Sequence, residues 1–181
     1  MSTRGQYGLK YDDEVKISYN HCDSYPSGLG VNLKTELNNY SIDQLIKAFN
    51  RIILVCDDFN KKETIEETKL KLIVKEKLND DSRSMEWYSI LRQFQGKLKP
   101  YVKDGFQYMY DGRYDGGIEY KYIVNLDEKT FECYAYSHNS IYDIDDERRM
   151  ILLNSFDLDE LKNIRDDEFV NILEQKEKEL C

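Results

Sequence analysis

The stretch QYGLKYDDEVKISYNH, residues 6–21, decides the fold class. Tyr7, Leu9 and Tyr11 recur at every second position. Asp12 and Asp13 interrupt the pattern, and Val15, Ile17, Tyr19 and His21 resume it. Alternation with a period of two across a short polar turn marks a β-hairpin, because successive strand side chains point to opposite faces. A lone hairpin is marginal in water, so it must find further strands or a helix to cover its apolar side.

The sequence supplies both. Residues 106–110, 118–126 and 131–136 read as strands; in the second, Ile118, Tyr120, Tyr122, Val124 and Leu126 share one face. A tight turn at residues 127–130 joins the last two, so the three are expected to form a meander. Residues 150–156 add a further strand. Between these clusters lie helices. Residues 31–39 suit a short one. Ser41 followed by Gln44 has the spacing of a capping box. The helix it opens carries Ile42, Leu45, Ile46, Phe49, Ile52 and Ile53 and is expected to run to about Cys56. Residues 61–78 are very charged; helix is favoured over 63–67, while 70–74 fits helix or strand. Ser84 caps a third helix with Trp87, Ile90, Leu91 and Phe94 on one face, and Gly96 stops it. Asp157 and Asp166 cap two closing helices over 158–164 and 167–179. Strands and helices do not alternate regularly, which disfavours a doubly wound parallel sheet. The expectation is one α+β domain over residues 1–181. Its sheet is mainly antiparallel, an N-terminal hairpin plus a later three-stranded meander, with helices packed on one face.

The chain has 181 residues, 40% of them apolar and 34% charged, enough for one core under a strongly charged surface. A net charge of −9 repels phosphate backbones over most of the surface and argues against general nucleic-acid binding. No apolar run approaches the roughly 18 residues that span a membrane, and the N-terminus lacks a signal-peptide core, so a cytoplasmic location is expected. The cysteines Cys22, Cys56, Cys133 and Cys181 form no CxxC pair, and no histidine stands at zinc-ligand spacing. They read as free thiols, and neither a metal nor a cofactor is expected.

Chemistry concentrates in YNHCDSYPSGLG, residues 19–30. An imidazole, a thiol, a carboxylate, hydroxyls, phenols and two glycines lie within twelve positions. Glycines let backbone amides approach a ligand, and such a loop before a helix can cradle an anion. Arg4 enters the paired strand and can add a bidentate contact. The same residues also fit a tightly hydrogen-bonded turn, with Asp23 and Ser24 satisfying backbone groups. A Cys22–His21 nucleophile is disfavoured, because adjacent strand residues face opposite ways. Three other readings carry less. His138 reads as a loop residue. The cluster Asp143, Asp145, Asp146 and Glu147 lacks the glycine of a calcium loop. Asp111 and Asp115 among glycines read as a hairpin connection. Trp87 and Tyr88 can form an aromatic platform, though Trp87 shares the apolar face of its helix. A processed N-terminal Ser2 can in principle act as a nucleophile.

Thr3-Arg4-Gly5, Tyr19-Asn20-His21 and residues 23–30 together resemble a family of small uncharacterised phage and microbial proteins. Its members open with a TRG motif and continue to YNHxDSYPSGLG. The stretches Trp87–Arg92, Gln95-Gly96 and 119–134 are similar too, so the resemblance covers most of residues 3–137. It places the site at the N-terminal motif. A glycine usually precedes TRG in that family, which weakens the Ser2 reading. An aromatic residue usually stands at the position of Cys22, which weakens thiol chemistry. The resemblance implies a phage protein acting in the host cytoplasm and countering a host defence signal.

The expected function is non-catalytic binding of a small anionic ligand, a nucleotide being one such ligand. Arg4 would meet a phosphate, Tyr19 and Tyr25 would stack, and Asn20, His21, Asp23 and Ser24 would make polar contacts. Gly28 and Gly30 would supply amides. The alternatives are a hydrolase acting on a nucleotide-like ligand and a protein-interaction inhibitor of a host protein. Self-association into a homo-oligomer stays open.

Overall fold

In the computed structural model, residues 3–56, 64–78, 86–111, 117–136 and 150–180 are described. Ser2, Ser84, His138, Cys181, the acidic cluster at Asp143, Asp145, Asp146 and Glu147, and Asp115 with the rest of residues 112–116 lie outside them.

The hairpin forms as its alternation requires. Strand β1 (Gly5–Tyr11) pairs antiparallel with β2 (Glu14–Asn20). Asp12 and Asp13 both have positive φ, 51° and 61°, as a primed two-residue turn demands. The remaining strands are β3 (Ile53–Val55), β4 (Tyr108–Asp111), β5 (Tyr120–Asn125), β6 (Thr130–Tyr136) and β7 (Met150–Asp157). All seven make one sheet in the order β3-β4-β2-β1-β5-β6-β7.

The fold is α+β, but three parts of the expectation need correction. The sheet is mixed: β1 runs parallel to β5, and β3 parallel to β4. The expected meander also breaks up. Strand β4 lies on the far side of the hairpin, between β2 and β3, and the true meander is β5-β6-β7. Period-two alternation marks a segment as strand but carries no information about its partner.

Helices lie on both faces, again unlike the expectation of one. Strand alternation sets Tyr7, Leu9, Tyr122, Val124 and Phe131 on one side. There they meet α1 (Val31–Leu37), α2 (Ile42–Arg51), α5 (Lys99–Val102), α6 (Leu158–Leu161) and α7 (Asp166–Leu180). Ile17, Tyr110 and Ile123 point to the other side. They join a second cluster with Val74 of α3 (Ile65–Leu78) and with Trp87, Ile90 and Leu91 of α4 (Trp87–Leu91). The ambiguous residues 70–74 are thus helical. No helix among the described residues is long and apolar enough to cross a membrane.

Local signals hold at several helix ends. The Ser41–Gln44 capping box forms, Asp157 Oδ1 accepts from the Asp159 and Glu160 amides, and Gly96 at φ +69° terminates the third helical segment. Asp166 does not cap α7; it begins that helix, and its carboxylate pairs with buried Lys34 at 2.8 Å.

The expected extension of α2 to Cys56 fails at Ile52, whose ψ of 126° is extended. The Ile53 amide then donates to the Gln107 carbonyl and the chain enters β3. Lys16 completes the break. It sits buried on β2, its Nζ donates to the Phe49 and Ile52 carbonyls at 3.2 and 2.9 Å, and it lies 4.3 Å over the Phe49 ring. The Phe49 carbonyl also accepts the Ile52 amide, at 3.1 Å, so the ammonium supplies it a second donor, gives the Ile52 carbonyl a partner and answers the helix dipole. Behind it, fully buried Tyr7 donates to the Phe94 carbonyl at 2.7 Å, and burial pushes its phenol up to about 12.

Replacing Lys16 with Met keeps the apolar stem and removes the charged donor. The Lys16→Met variant is expected to lose about 2 kcal/mol of stability, the cost of an orphaned Ile52 carbonyl and a lost helix cap. A urea titration reads this as a lower midpoint at an unchanged slope.

Candidate functional site

Strand β2 ends at Asn20, and the chain returns through residues 21–25 into a π-helical turn, Pro26–Gly30, that leads directly into α1. Asp23 takes the left-handed conformation, φ 54°, which a short polar residue tolerates. Its carbonyl accepts from the Leu29 amide at 2.9 Å. A Cβ on Gly28 would run into that same carbonyl, so only glycine lets the chain fold back here.

Much of the motif holds this turn together. Asn20 Nδ2 donates to the Cys22 carbonyl and to Ser24 Oγ (2.8 Å). Ser24 is fully buried. Its amide donates to the Thr3 carbonyl and its own carbonyl accepts from the Tyr122 hydroxyl at 2.9 Å. The loop therefore ties the chain just before β1 to the end of β2 and to β5. The amides of Gly28 and Gly30 both donate to the Tyr25 carbonyl, at 3.0 and 3.4 Å. The cradle of backbone donors expected from the two glycines is thereby replaced by a closed turn. Asn20 and Ser24 likewise face inward rather than toward a ligand. Asp23 and Tyr25 sit at the exposed rim and pair with each other, the phenol donating to Oδ1 at 3.1 Å.

A second group gathers on the other face of the sheet. Tyr19 alternates with Ser18 and Asn20, so its ring lies opposite theirs. It stands 5.6 Å from the ring of Tyr88 on α4 and 6.2 Å from that of His21. The Tyr88 hydroxyl meets His21 Nδ1 at 3.3 Å, and the His21 amide donates to Gln95 Oε1 at 3.0 Å. Burial raises the Tyr19 phenol above its ordinary range, while the positive charges of Arg4 and Arg92 pull it down. Both arginines are exposed. Gln95 Nε2 is buried and has no partner among the described residues, an unmet donor beside the His21 backbone.

Two of the expected residues, Tyr19 and His21, thus meet Tyr88 and Gln95, and the charges of Arg4 and Arg92 act on the Tyr19 phenol. From the sequence, Tyr88 reads only as part of an aromatic platform with Trp87. Arg92 and Gln95 have no signal there beyond membership of the Trp87–Arg92 and Gln95-Gly96 stretches that accompany the N-terminal motif. Trp87, by contrast, packs into the second core. Chemically, the cluster offers two planar cations and several ring faces, a combination that suits an anion carrying a flat heterocycle. Among the described residues no group of three or more His, Cys, Asp or Glu side chains could hold a metal ion. Cys22, Cys56 and Cys133 are free thiols; burial pushes Cys133 up. A cavity of about 290 Å³ lies elsewhere, between the α1–α2 junction and α6, lined by Leu37, Tyr40, Leu45 and Leu161 among others.

No protein-family model matches the chain, and neither a curated protein nor a solved structure does so.

The two roles separate by mutation. Asn20→Ala leaves the Cys22 carbonyl and the buried Ser24 hydroxyl without their donor and is expected to cost about 2 kcal/mol. Cys22→Ala, at an exposed thiol, is expected to change stability by less than about 0.5 kcal/mol. Chemical denaturation of both variants checks the contrast.

Proposed function

We propose that the protein binds a small anionic ligand with a planar ring, a nucleotide being the class that joins both features, and releases it unchanged. The observation that carries this reading is the gathering of the Tyr19, His21 and Tyr88 rings from two separate parts of the chain, with the positive charges of Arg4 and Arg92 acting on the Tyr19 phenol. The guanidinium groups take the phosphate through paired N–H donors. The half-buried rings of Tyr88 and His21 stack on the base, with Tyr19 as the floor beneath them. Gln95 Nε2 supplies a donor for a ligand oxygen. A local pair of arginines suffices on a protein whose net charge is −9, because the ligand is small and the contacts are short. The loop of residues 21–30 acts as the frame that sets His21 against Tyr88. Following the resemblance to phage proteins, the biological setting is capture of a host defence signal in the host cytoplasm.

A thermal-shift panel of mono-, di- and cyclic nucleotides tests this. At a hundredfold excess over the dissociation constant, a bound nucleotide adds about 2.7 kcal/mol. For a chain of this size that raises the melting temperature by roughly 5–10 °C. Arg4→Ala and Arg92→Ala, both at exposed side chains, should each abolish the shift and leave the ligand-free melting temperature in place. A panel that moves nothing defeats the proposal. Chromatography of the nucleotide after incubation separates binding from turnover, and recovery of hydrolysed product would favour the enzyme reading.

A further inference from the structure

Helix α3 places both charged and apolar side chains on each of its sides. Its buried side holds Lys71 and Lys75, each 6% exposed, on either side of Val74. The Lys71 ammonium lies 5.6 Å over the Trp87 ring. Its outer side leaves Ile65, Leu72 and Ile73 at 70%, 53% and 50% exposure. At 3.6 residues per turn, Ile65, Lys69, Leu72, Ile73 and Glu76 recur at i, i+4, i+7, i+8 and i+11, so they form one stripe along the helix. All five are exposed. Single exposed apolar residues are ordinary. A stripe of three, on a helix that buries two of its lysines, is the pattern of a surface made to be covered.

The stripe also carries its own complement. When two copies of α3 lie antiparallel about a two-fold axis midway between Leu72 and Ile73, Leu72 of one meets the partner's Ile73. In that register Lys69 stands opposite the partner's Glu76, and the symmetry makes the same ion pair a second time. A parallel arrangement would instead set Lys69 against Lys69 and Glu76 against Glu76. Two-fold interfaces require a patch complementary to itself, and this one is.

We infer that the outer face of α3 is a homodimer interface, closed by an antiparallel two-fold pairing of Leu72 and Ile73 flanked by reciprocal Lys69–Glu76 ion pairs. A single face of a fourteen-residue helix falls short of the ~800 Å² per partner typical of stable complexes, so the dimer is weak and concentration-dependent. The opposing net charge of each copy, −9, weakens it further.

Sedimentation velocity of the full chain over a dilution series from about 1 to about 500 µM, the range that brackets a weak interface, tests the inference. The expected result is a monomer at the dilute end that converts to a dimer as concentration rises. Leu72→Asp, at an exposed position that leaves the fold intact by circular dichroism, should remain monomeric throughout. Lys69→Glu alone and Glu76→Lys alone should each weaken the dimer about tenfold, since each sets like charges together, and the double variant should restore it. A monomer at every concentration overturns the inference. So does a dimer indifferent to Leu72→Asp, or a double charge variant no better than the single ones. These measurements need no nucleotide, so the two proposals stand or fall separately.

Discussion

Strand β1 is hydrogen-bonded along both edges, antiparallel to β2 and parallel to β5, and this double pairing organises the molecule. A strand held on both sides is central, so both of its faces must be covered. The side with Tyr7 and Leu9 takes the aromatic core under α7, where Tyr122, Phe131 and Phe169 stack. The opposite side takes the smaller cluster around Ile17 and Trp87. Gly8 shows how close the pairing is. A Cβ at that position would collide with the Lys16 carbonyl, so the hairpin tolerates no side chain there.

The same geometry divides the labour of the N-terminal motif. Residues of β2 alternate, so Ser18 and Asn20 face one side while Tyr19 faces the other. Asn20 and Ser24 then serve the loop, and Tyr19 is left with His21 to meet Tyr88 across a long sequence separation. A motif dense in polar groups is thus mostly a frame. The groups left to face outward are few, and the His21 amide is tied to Gln95 from the segment after α4.

Some of this was legible before the fold was known, and some was not. The hairpin, its Asp12-Asp13 turn and the Ser41 and Asp157 caps depend on neighbours within four residues, and all were readable. The end of α2 was not, since the residue that caps it, Lys16, comes from another element. Helix α3 shows the same limit. It buries Val74 beside Lys71 and Lys75 and leaves Ile65, Leu72 and Ile73 exposed, so hydrophobic pattern alone does not tell which of its sides is covered. In the site, Arg4, Tyr19 and His21 were expected together, but with Gly28 and Gly30 as donors. Residue type alone cannot tell an amide that is already engaged from one that is open.

By itself, the sequence determined the strand segments other than β3, where the tight turns lie, and that a polar, glycine-containing loop links β2 to α1. These follow from steric and hydrogen-bonding preferences acting over a few residues. Only the tertiary structure decided that β4 crosses to the far side of the hairpin, that β1 runs parallel to β5, and that Tyr88, Arg92 and Gln95 complete the cluster around Tyr19. Those outcomes turn on contacts between residues 67 or more positions apart. The free energy of such contacts depends on how whole surfaces pack, and no local pattern records it.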